Sequence, residues 1–213
     1  MIHIFPHWNW QGSEGQFIPV LAYTNCDTVE LYLNDKLIGT KSLEFPRQGN
    51  SGGWNRYATR KINVTTADLH LSWDVPYEPG VLRAVGRKNG QIVCTEEVCT
   101  TGQPSAIKLS AYRDTISTGR DIVHVKVEIV DSDGLIVPDS NNLVNFSIEG
   151  QGKIIAVDSG NLRDLTPFQK TQRNACGGLC LVIIESTNQQ GAIELTAESE
   201  GLKSSTARIN VQP

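Results

Sequence analysis

Alternation of apolar and polar residues with a period of two is the feature that most constrains the fold of this chain. Apolar residues occupy every second position in residues 28–34 (TVELYLN) and again in residues 122–129 (IVHVKVEI). Successive side chains of a strand point to opposite faces of its sheet, so this pattern indicates strands with one buried and one solvated face. No window combines helical spacing with capping residues. The sequence therefore predicts an all-β fold.

Short polar sequences between the apolar runs support this prediction. Asparagine, aspartate and glycine tolerate the positive φ angles that tight hairpins require. A hairpin also joins neighbouring antiparallel strands without a long connection. We expect turns of this kind at Asn34-Asp35, Asn89-Gly90 and Asp133-Gly134.

A polar segment at residues 100–105, which contains a glycine and a proline, is the predicted boundary between two domains. All four tryptophans precede it. The boundary leaves residues 1–101 and residues 105–213, each near the roughly 100 residues of an immunoglobulin-like sandwich. Neither part has the Cys…Trp…Cys arrangement of antibody domains. We therefore expect two tandem immunoglobulin-like β-sandwich domains.

Composition and charge weigh against several classes of partner. The net charge is −4 and no basic stripe is present, so we expect no binding to nucleic acid. No apolar run approaches the roughly 20 residues of a membrane-spanning helix, so we expect no membrane insertion. The cysteines lack zinc-site spacing and are too sparse for a disulfide framework, so most are expected to be small buried side chains. These are Cys26, Cys94, Cys99, Cys176 and Cys180.

The sequence contains no recognisable catalytic constellation. Glu96 and Glu97 are adjacent, and adjacent side chains in a strand point to opposite faces, so they could not flank a glycosidic bond. His3 and His7 are spaced like ligands on a helix, but Pro6 between them forbids that helix. We expect no catalytic residue, no metal and no cofactor in this chain.

Residues 3–10 (HIFPHWNW) concentrate aromatic and imidazole rings near the start of the sequence. Chain termini are usually poorly ordered, so such bulky side chains are unusual there. In one interpretation the rings fill the core of their own sandwich. In the other, part of the cluster contacts a sugar ring or a protein outside this chain. The candidate contact residues are His7, Trp8, Asn9, Trp10 and Trp54.

Two other segments interrupt the strand pattern. Residues 44–54 form a glycine-rich stretch, and residues 158–178 form a long irregular one. Loops longer than about 12–15 residues are usually functional or lie at interfaces. We therefore expect residues 158–178 to carry a functional or interfacial role.

Several motifs together resemble a known family. Residues 3–10 and residues 29–34 (VELYLN) are similar to the domain that follows the catalytic barrel in bacterial family 2 glycoside hydrolases of the β-galactosidase type. Residues 73–86 match the later Y-x-P-G-x-L-x-A element of that domain. The second half, including residues 145–150 (NFSIEG), resembles the C-terminal immunoglobulin-like domain of these enzymes. At residues 158–161 the chain has DSGN where the family usually has GNGD.

The resemblance implies a non-catalytic accessory region. In that family two glutamates on the barrel carry the chemistry, and the barrel lies upstream of this chain. The chain is then expected to be a fragment of a secreted or periplasmic glycosidase, with the barrel as its intramolecular partner. Residues 3–10 would brace the barrel and line one edge of its sugar cleft. The alternatives are an independent carbohydrate-binding module and a cell-surface spacer or adhesin.

Overall fold

The computed structural model describes residues 1–42 and 69–213. Within these ranges the chain is all-β, with sixteen strands and no helix, which confirms the predicted fold class. No described segment is a helix of the length and apolar character that crosses a membrane. Trp54 and the glycine-rich stretch around it lie outside the described residues. The chain divides into two compact units, Met1–Thr100 (unit 1) and Thr101–Pro213 (unit 2).

Unit 1 is a sandwich of two antiparallel sheets. One sheet has the order β1-β2-β5 and the other the order β4-β3-β6-β7. Apolar side chains from both sheets form one buried cluster, to which β3 contributes Val29, Leu31 and Leu33, as its alternation predicts. The strands are β1 (Ile2–Phe5), β2 (Phe17–Thr24), β3 (Thr28–Leu33), β4 (Lys36–Ser42), β5 (Leu71–Pro76), β6 (Val81–Lys88) and β7 (Gln91–Cys99).

Unit 2 is a second sandwich with its own core. Its sheets have the orders β12-β14-β10-β8 and β13-β11-β15-β16-β9, and only the β16–β9 pairing is parallel among the described strands. The inward residues of β10 are fully buried between the sheets. The strands are β8 (Ala106–Ala111), β9 (Thr115–Ser117), β10 (Ile122–Val130), β11 (Leu143–Gly150), β12 (Gly152–Asp158), β13 (Gln172–Asn174), β14 (Leu179–Ser186), β15 (Gly191–Glu198) and β16 (Ser205–Gln212).

Two of the three predicted turns close hairpins. Asn34 and Asp35 have φ angles of 49° and 64° between β3 and β4, and Asn89 and Gly90 have φ angles of 52° and 80° between β6 and β7. Positive φ at both central residues defines the type I′ turn, whose twist matches that of the flanking strands. The third turn, at Gly134, closes an isolated bridge from Val130 to Ile136 instead of joining two strands.

One contact in unit 1 explains why two of the family-like motifs occur together. The Asn34 side chain accepts a hydrogen bond from the Val81 N–H at 3.0 Å and donates one to the Pro79 carbonyl at 3.1 Å. Gly80 lies between them with a φ of 144°. A Cβ at Gly80 would overlap the Asn34 amide. The asparagine that ends residues 29–34 therefore requires the glycine of the later element.

Gly80→Ala is accordingly expected to destabilise unit 1 by about 2 kcal/mol, because it combines a glycine-only φ with a steric overlap. Gly90→Ala is the matched control. Its φ is also positive, but a Cβ there meets no atom within 4 Å, so it should cost only about 1 kcal/mol of backbone strain. Urea unfolding followed by circular dichroism measures both. Equal losses for the two variants would contradict the Asn34 contact.

Candidate functional site

The opening segment leaves the first sheet immediately after β1. Ile2 and Ile4 enter the core of unit 1, whereas His3 and Phe5 face outward. The peptide bond between Phe5 and Pro6 is cis. From Pro6 the chain runs as a loop, so period-two alternation no longer determines which side chains are buried.

Trp8 is a core residue. Its side chain has no exposed surface, and its ring packs edge-on against buried Tyr77 at a centroid distance of 5.3 Å. Its indole N–H donates to the Glu78 carbonyl at 2.9 Å, and its own carbonyl accepts from the Thr100 hydroxyl at 2.6 Å. These contacts attach the loop to residues 77–78 after β5 and to Thr100 after β7. They also correct the prediction that placed Trp8 among the contact residues, because a sealed ring has no face for a partner.

His7 and Trp10 are both half-buried on either side of this anchor. Their rings stack at 4.9 Å with an interplanar angle of 18°. The Trp10 indole N–H donates to the His7 carbonyl at 2.9 Å, and the His7 Nδ1 accepts from the Asn9 backbone N–H at 3.2 Å. The structure thus brings together three of the five predicted contact residues in one ordered corner, which we call the His7–Trp10 corner.

An aromatic strip lies beside this corner on the outer face of the β1-β2-β5 sheet. Phe5 stacks on Tyr23 at 5.6 Å, with His3 beyond Phe5 and His70 beyond Tyr23. The His3 Nδ1 also lies 2.9 Å from a carboxylate oxygen of Glu96. Tyr23 and His70 were not among the residues predicted for this surface. The pairing of His3 with Tyr23 depends on the register between β1 and β2, which the local sequence does not determine. The alternation within β2 could have indicated only that Tyr23 faces outward.

Unit 2 presents a second candidate contact surface between β12 and β13. Three apolar side chains of this loop are uncovered: Leu162 is 99% exposed, Leu165 is 93% exposed and Phe168 is 53% exposed. Large apolar side chains exposed within one short segment are typical of interaction sites. We call these three residues the apolar loop. They lie within the long segment for which the sequence predicted a functional or interfacial role.

A buried arginine holds the apolar loop in place. Arg173 is 1% exposed, and its guanidinium donates to the Asp164 carboxylate at 2.9 Å and to the Val157 carbonyl at 2.8 Å. It also donates to the Pro167 carbonyl and lies over the Phe168 ring at 5.5 Å. The hydrogen bonds of the buried Arg173 therefore hold the backbone of the loop, while its apolar side chains are exposed.

The contact between Arg173 and Asp164, which we call the clamp, predicts a pH dependence. Hydrogen bonds from the Thr166 hydroxyl and backbone N–H, and then from Arg173, lower the pKa of Asp164 to about 2. The folded pKa lies below the unfolded value of about 3.9, so the stabilisation is complete above that value and is lost as pH falls through about 2. We expect the loop NMR signals to titrate with a midpoint near 2. A midpoint near 4 would contradict the clamp.

The comparisons with known proteins agree with this architecture. Residues 107–208 match the model of glycoside hydrolase family 2 C-terminal domain 5, and residues 15–94 match that of a domain of unknown function. A β-galactosidase of Bacteroides ovatus is 36% identical over 100% of this chain, which covers 22% of that protein. The chain belongs to the C-terminal region of glycoside hydrolase family 2. The resemblance inferred from the sequence motifs is thereby confirmed.

Solved structures show the same family 2 region. A β-glycosidase from Bacteroides vulgatus matches with a TM-score of 0.83 and 30% identity, over 99% of this chain and 24% of that one. A family 2 β-glucuronidase matches with a TM-score of 0.80 and 26% identity, over 100% of this chain and 20% of that one. This family 2 region thus spans about a fifth of the length of its curated relatives.

Chemically, the two surfaces of this family 2 region are suited to contact. The His7–Trp10 corner presents half-buried rings, and the apolar loop presents aliphatic and aromatic carbon.

On β7, Glu96 is half-buried and Glu97 is exposed, consistent with side chains on opposite faces of the strand. These two carboxylates therefore cannot act as a pair on one glycosidic bond.

Proposed function

We propose that this chain is a non-catalytic accessory region that braces the catalytic barrel of a family 2 β-glycosidase. In this proposal the His7–Trp10 corner packs against the barrel at one edge of its sugar cleft. The observation that carries the proposal is the construction of the corner: a fully buried Trp8 anchors the loop, and the half-buried rings of His7 and Trp10 stack on each other. The relatives' names, β-galactosidase and β-glucuronidase, support a β-glycoside as the parent's substrate class.

The hydrogen bonding of the indoles favours a protein partner over a sugar at this corner. A tryptophan that binds sugar typically stacks on the ring and also has a free N–H for a hydroxyl. Here the N–H of Trp8 donates to the Glu78 carbonyl and that of Trp10 to the His7 carbonyl. One face of the Trp10 ring is also covered by His7. The Trp10 ring also packs against the core of unit 1. The part that stays exposed is apolar ring surface of the kind found at the centre of protein interfaces.

The apolar loop supports the same proposal from unit 2. Leu162 and Leu165 are almost fully exposed, although Arg173 orders the backbone that carries them. An ordered loop loses little conformational entropy on docking, which favours binding. We propose that this loop, too, packs against the remainder of the family 2 polypeptide.

Substitutions in a complete family 2 polypeptide that carries this chain test the proposal. The double variant His7→Ala/Trp10→Ala is expected to raise the KM for an aryl β-glycoside about tenfold, the equivalent of about 1.4 kcal/mol of positioning, or to lower the melting temperature of the barrel. Tyr112→Ala is the control, because Tyr112 is an exposed ring that belongs to neither proposed surface. Unchanged kinetics and melting in the double variant would reject the proposal.

Calorimetry of the chain alone distinguishes the carbohydrate-binding alternative. We expect no heat on titration with galactosides or glucuronides, because neither indole N–H is available to a hydroxyl. Tryptophan fluorescence should likewise stay constant. Saturable heat that is lost in Trp10→Ala would favour an independent carbohydrate-binding module.

A further inference from the structure

Two cysteines that are distant in the sequence lie side by side in unit 1. The Cys26 and Cys94 sulfur atoms are 3.4 Å apart, although 68 positions separate them in the chain. Cys26 is buried in the connection between β2 and β3, and Cys94 is half-buried in β7. Nothing in the accessory role proposed above uses this pair.

A glycine creates the space that the two sulfurs share. Gly86 in β6 is the registered partner of Cys94 in β7, and the pairing has an irregularity directly after it. A Cβ at Gly86 would lie 2.6 Å from the Cys26 sulfur and 2.8 Å from the Cys94 sulfur. Any other residue would therefore displace one thiol. The missing side chain lets the two cysteines meet across β6.

We propose that Cys26 and Cys94 are a modification site that forms a reversible disulfide, joining the β2–β3 connection to β7. The sulfurs need to approach only from 3.4 Å to the bond length of about 2.05 Å. The bond would close a long loop of unit 1, and closure of a long loop constrains the unfolded chain. The oxidant is a small-molecule or protein disulfide of the glutathione type.

The reaction is thiol–disulfide exchange. The Cys94 thiolate, the more accessible of the two, attacks one sulfur of the oxidant, forms a mixed disulfide and expels one thiolate. The Cys26 thiolate then attacks the Cys94 sulfur, forms the intramolecular bond and expels the second thiolate. The two electrons leave with the oxidant, which departs as two reduced thiols, and the two cysteine protons are transferred to them through solvent.

The surroundings of the cysteines set the conditions of the reaction. Burial, and then the contact with Cys26, raise the pKa of Cys94. Exchange is therefore expected to be slow at neutral pH. Burial raises the pKa of Cys180 to about 12, and burial followed by the Glu97 charge raises that of Cys99. These two thiols are poor competitors for the oxidant.

Thiol counting on the whole chain tests the proposal. The folded, reduced protein is treated with oxidised glutathione near pH 8.5, about the ordinary cysteine pKa, and the remaining thiols are counted after denaturation. We expect the five thiols to fall by two, to three. Cleavage after glutamate separates Cys94 from Cys99, because Glu96 and Glu97 lie between them. Mass spectrometry should then show a Cys26–Cys94 crosslink.

Three variants complete the design. Cys99→Ser is the matched control and should still lose two thiols, whereas Cys94→Ser should lose none to an intramolecular bond. Oxidation should raise the melting temperature of the wild type, reversibly with reductant, and leave that of Cys94→Ser unchanged. Gly86→Ala should slow crosslinking by separating the sulfurs. Retention of all five thiols in the wild type, a crosslink between other cysteines, or glutathione adducts alone would overturn the proposal.

Discussion

Replacement of Trp8 by alanine is expected to destabilise unit 1 by about 4 kcal/mol. The ring is fully buried and packs against Tyr77, so its removal leaves a cavity. The Glu78 carbonyl also loses its donor. Domains are stable by only about 5–15 kcal/mol, and the variant of unit 1 should therefore be close to unfolding at physiological temperature.

Two further substitutions separate the parts of this effect. Trp8→Phe keeps most of the ring but loses the N–H donor, and should cost about 1–3 kcal/mol, less than the alanine variant. Trp10→Ala removes a half-buried ring from the same loop and should cost about 1 kcal/mol. Urea unfolding followed by far-ultraviolet circular dichroism measures all three. Equal losses for Trp8→Ala and Trp10→Ala would show that Trp8 is not the anchor.

Replacement of Arg173 by methionine should destabilise unit 2 by about 3 kcal/mol. Arg173 is buried, and its loss would leave the Val157 and Pro167 carbonyls without their donor. An unpaired buried polar group costs about 1–3 kcal/mol. The Asp164 carboxylate would also lose its countercharge. The apolar loop should then become accessible to protease before the rest of unit 2 unfolds.

Arg163→Met is the matched control for this prediction. Arg163 lies in the same loop, but its side chain is exposed, and exposed substitutions usually change stability by less than about 0.5 kcal/mol. Limited proteolysis and thermal unfolding of the two variants provide the comparison. If Arg173→Met behaves like Arg163→Met, the loop does not depend on the buried guanidinium.

The sequence predicts the strands well because period-two alternation is a local signal. Residues 28–33 form β3 with their apolar residues inward, and residues 122–129 lie within β10. Trp8 shows where this reasoning ends. The strand β1 ends at Phe5, so alternation does not predict which side chains of residues 7–10 (HWNW) are buried. Only the contacts with Tyr77 and Glu78, about seventy positions later, show that Trp8 is fully buried while His7 and Trp10 are half-buried.

The proximity of Cys26 and Cys94 could not be predicted from the sequence for a related reason. Cysteine spacing identifies local metal sites and dense disulfide frameworks, but this pair depends on the register of β6 with β7 and of β3 with β6. One signal was present: an isolated glycine inside a strand often marks a bulge or a close approach. Gly86 is such a glycine.

Hydroxyl-radical footprinting compares the accessibility of both proposed surfaces directly, in the chain alone and in a complete family 2 polypeptide. Trp8 is an internal reference, because its burial within unit 1 should keep it unreactive in both samples. If the two surfaces pack against the remainder of the polypeptide, Trp10 and Phe168 should be oxidised in the chain alone and protected in the complete protein. Equal oxidation of Trp10 and Phe168 in the two samples would contradict the bracing role.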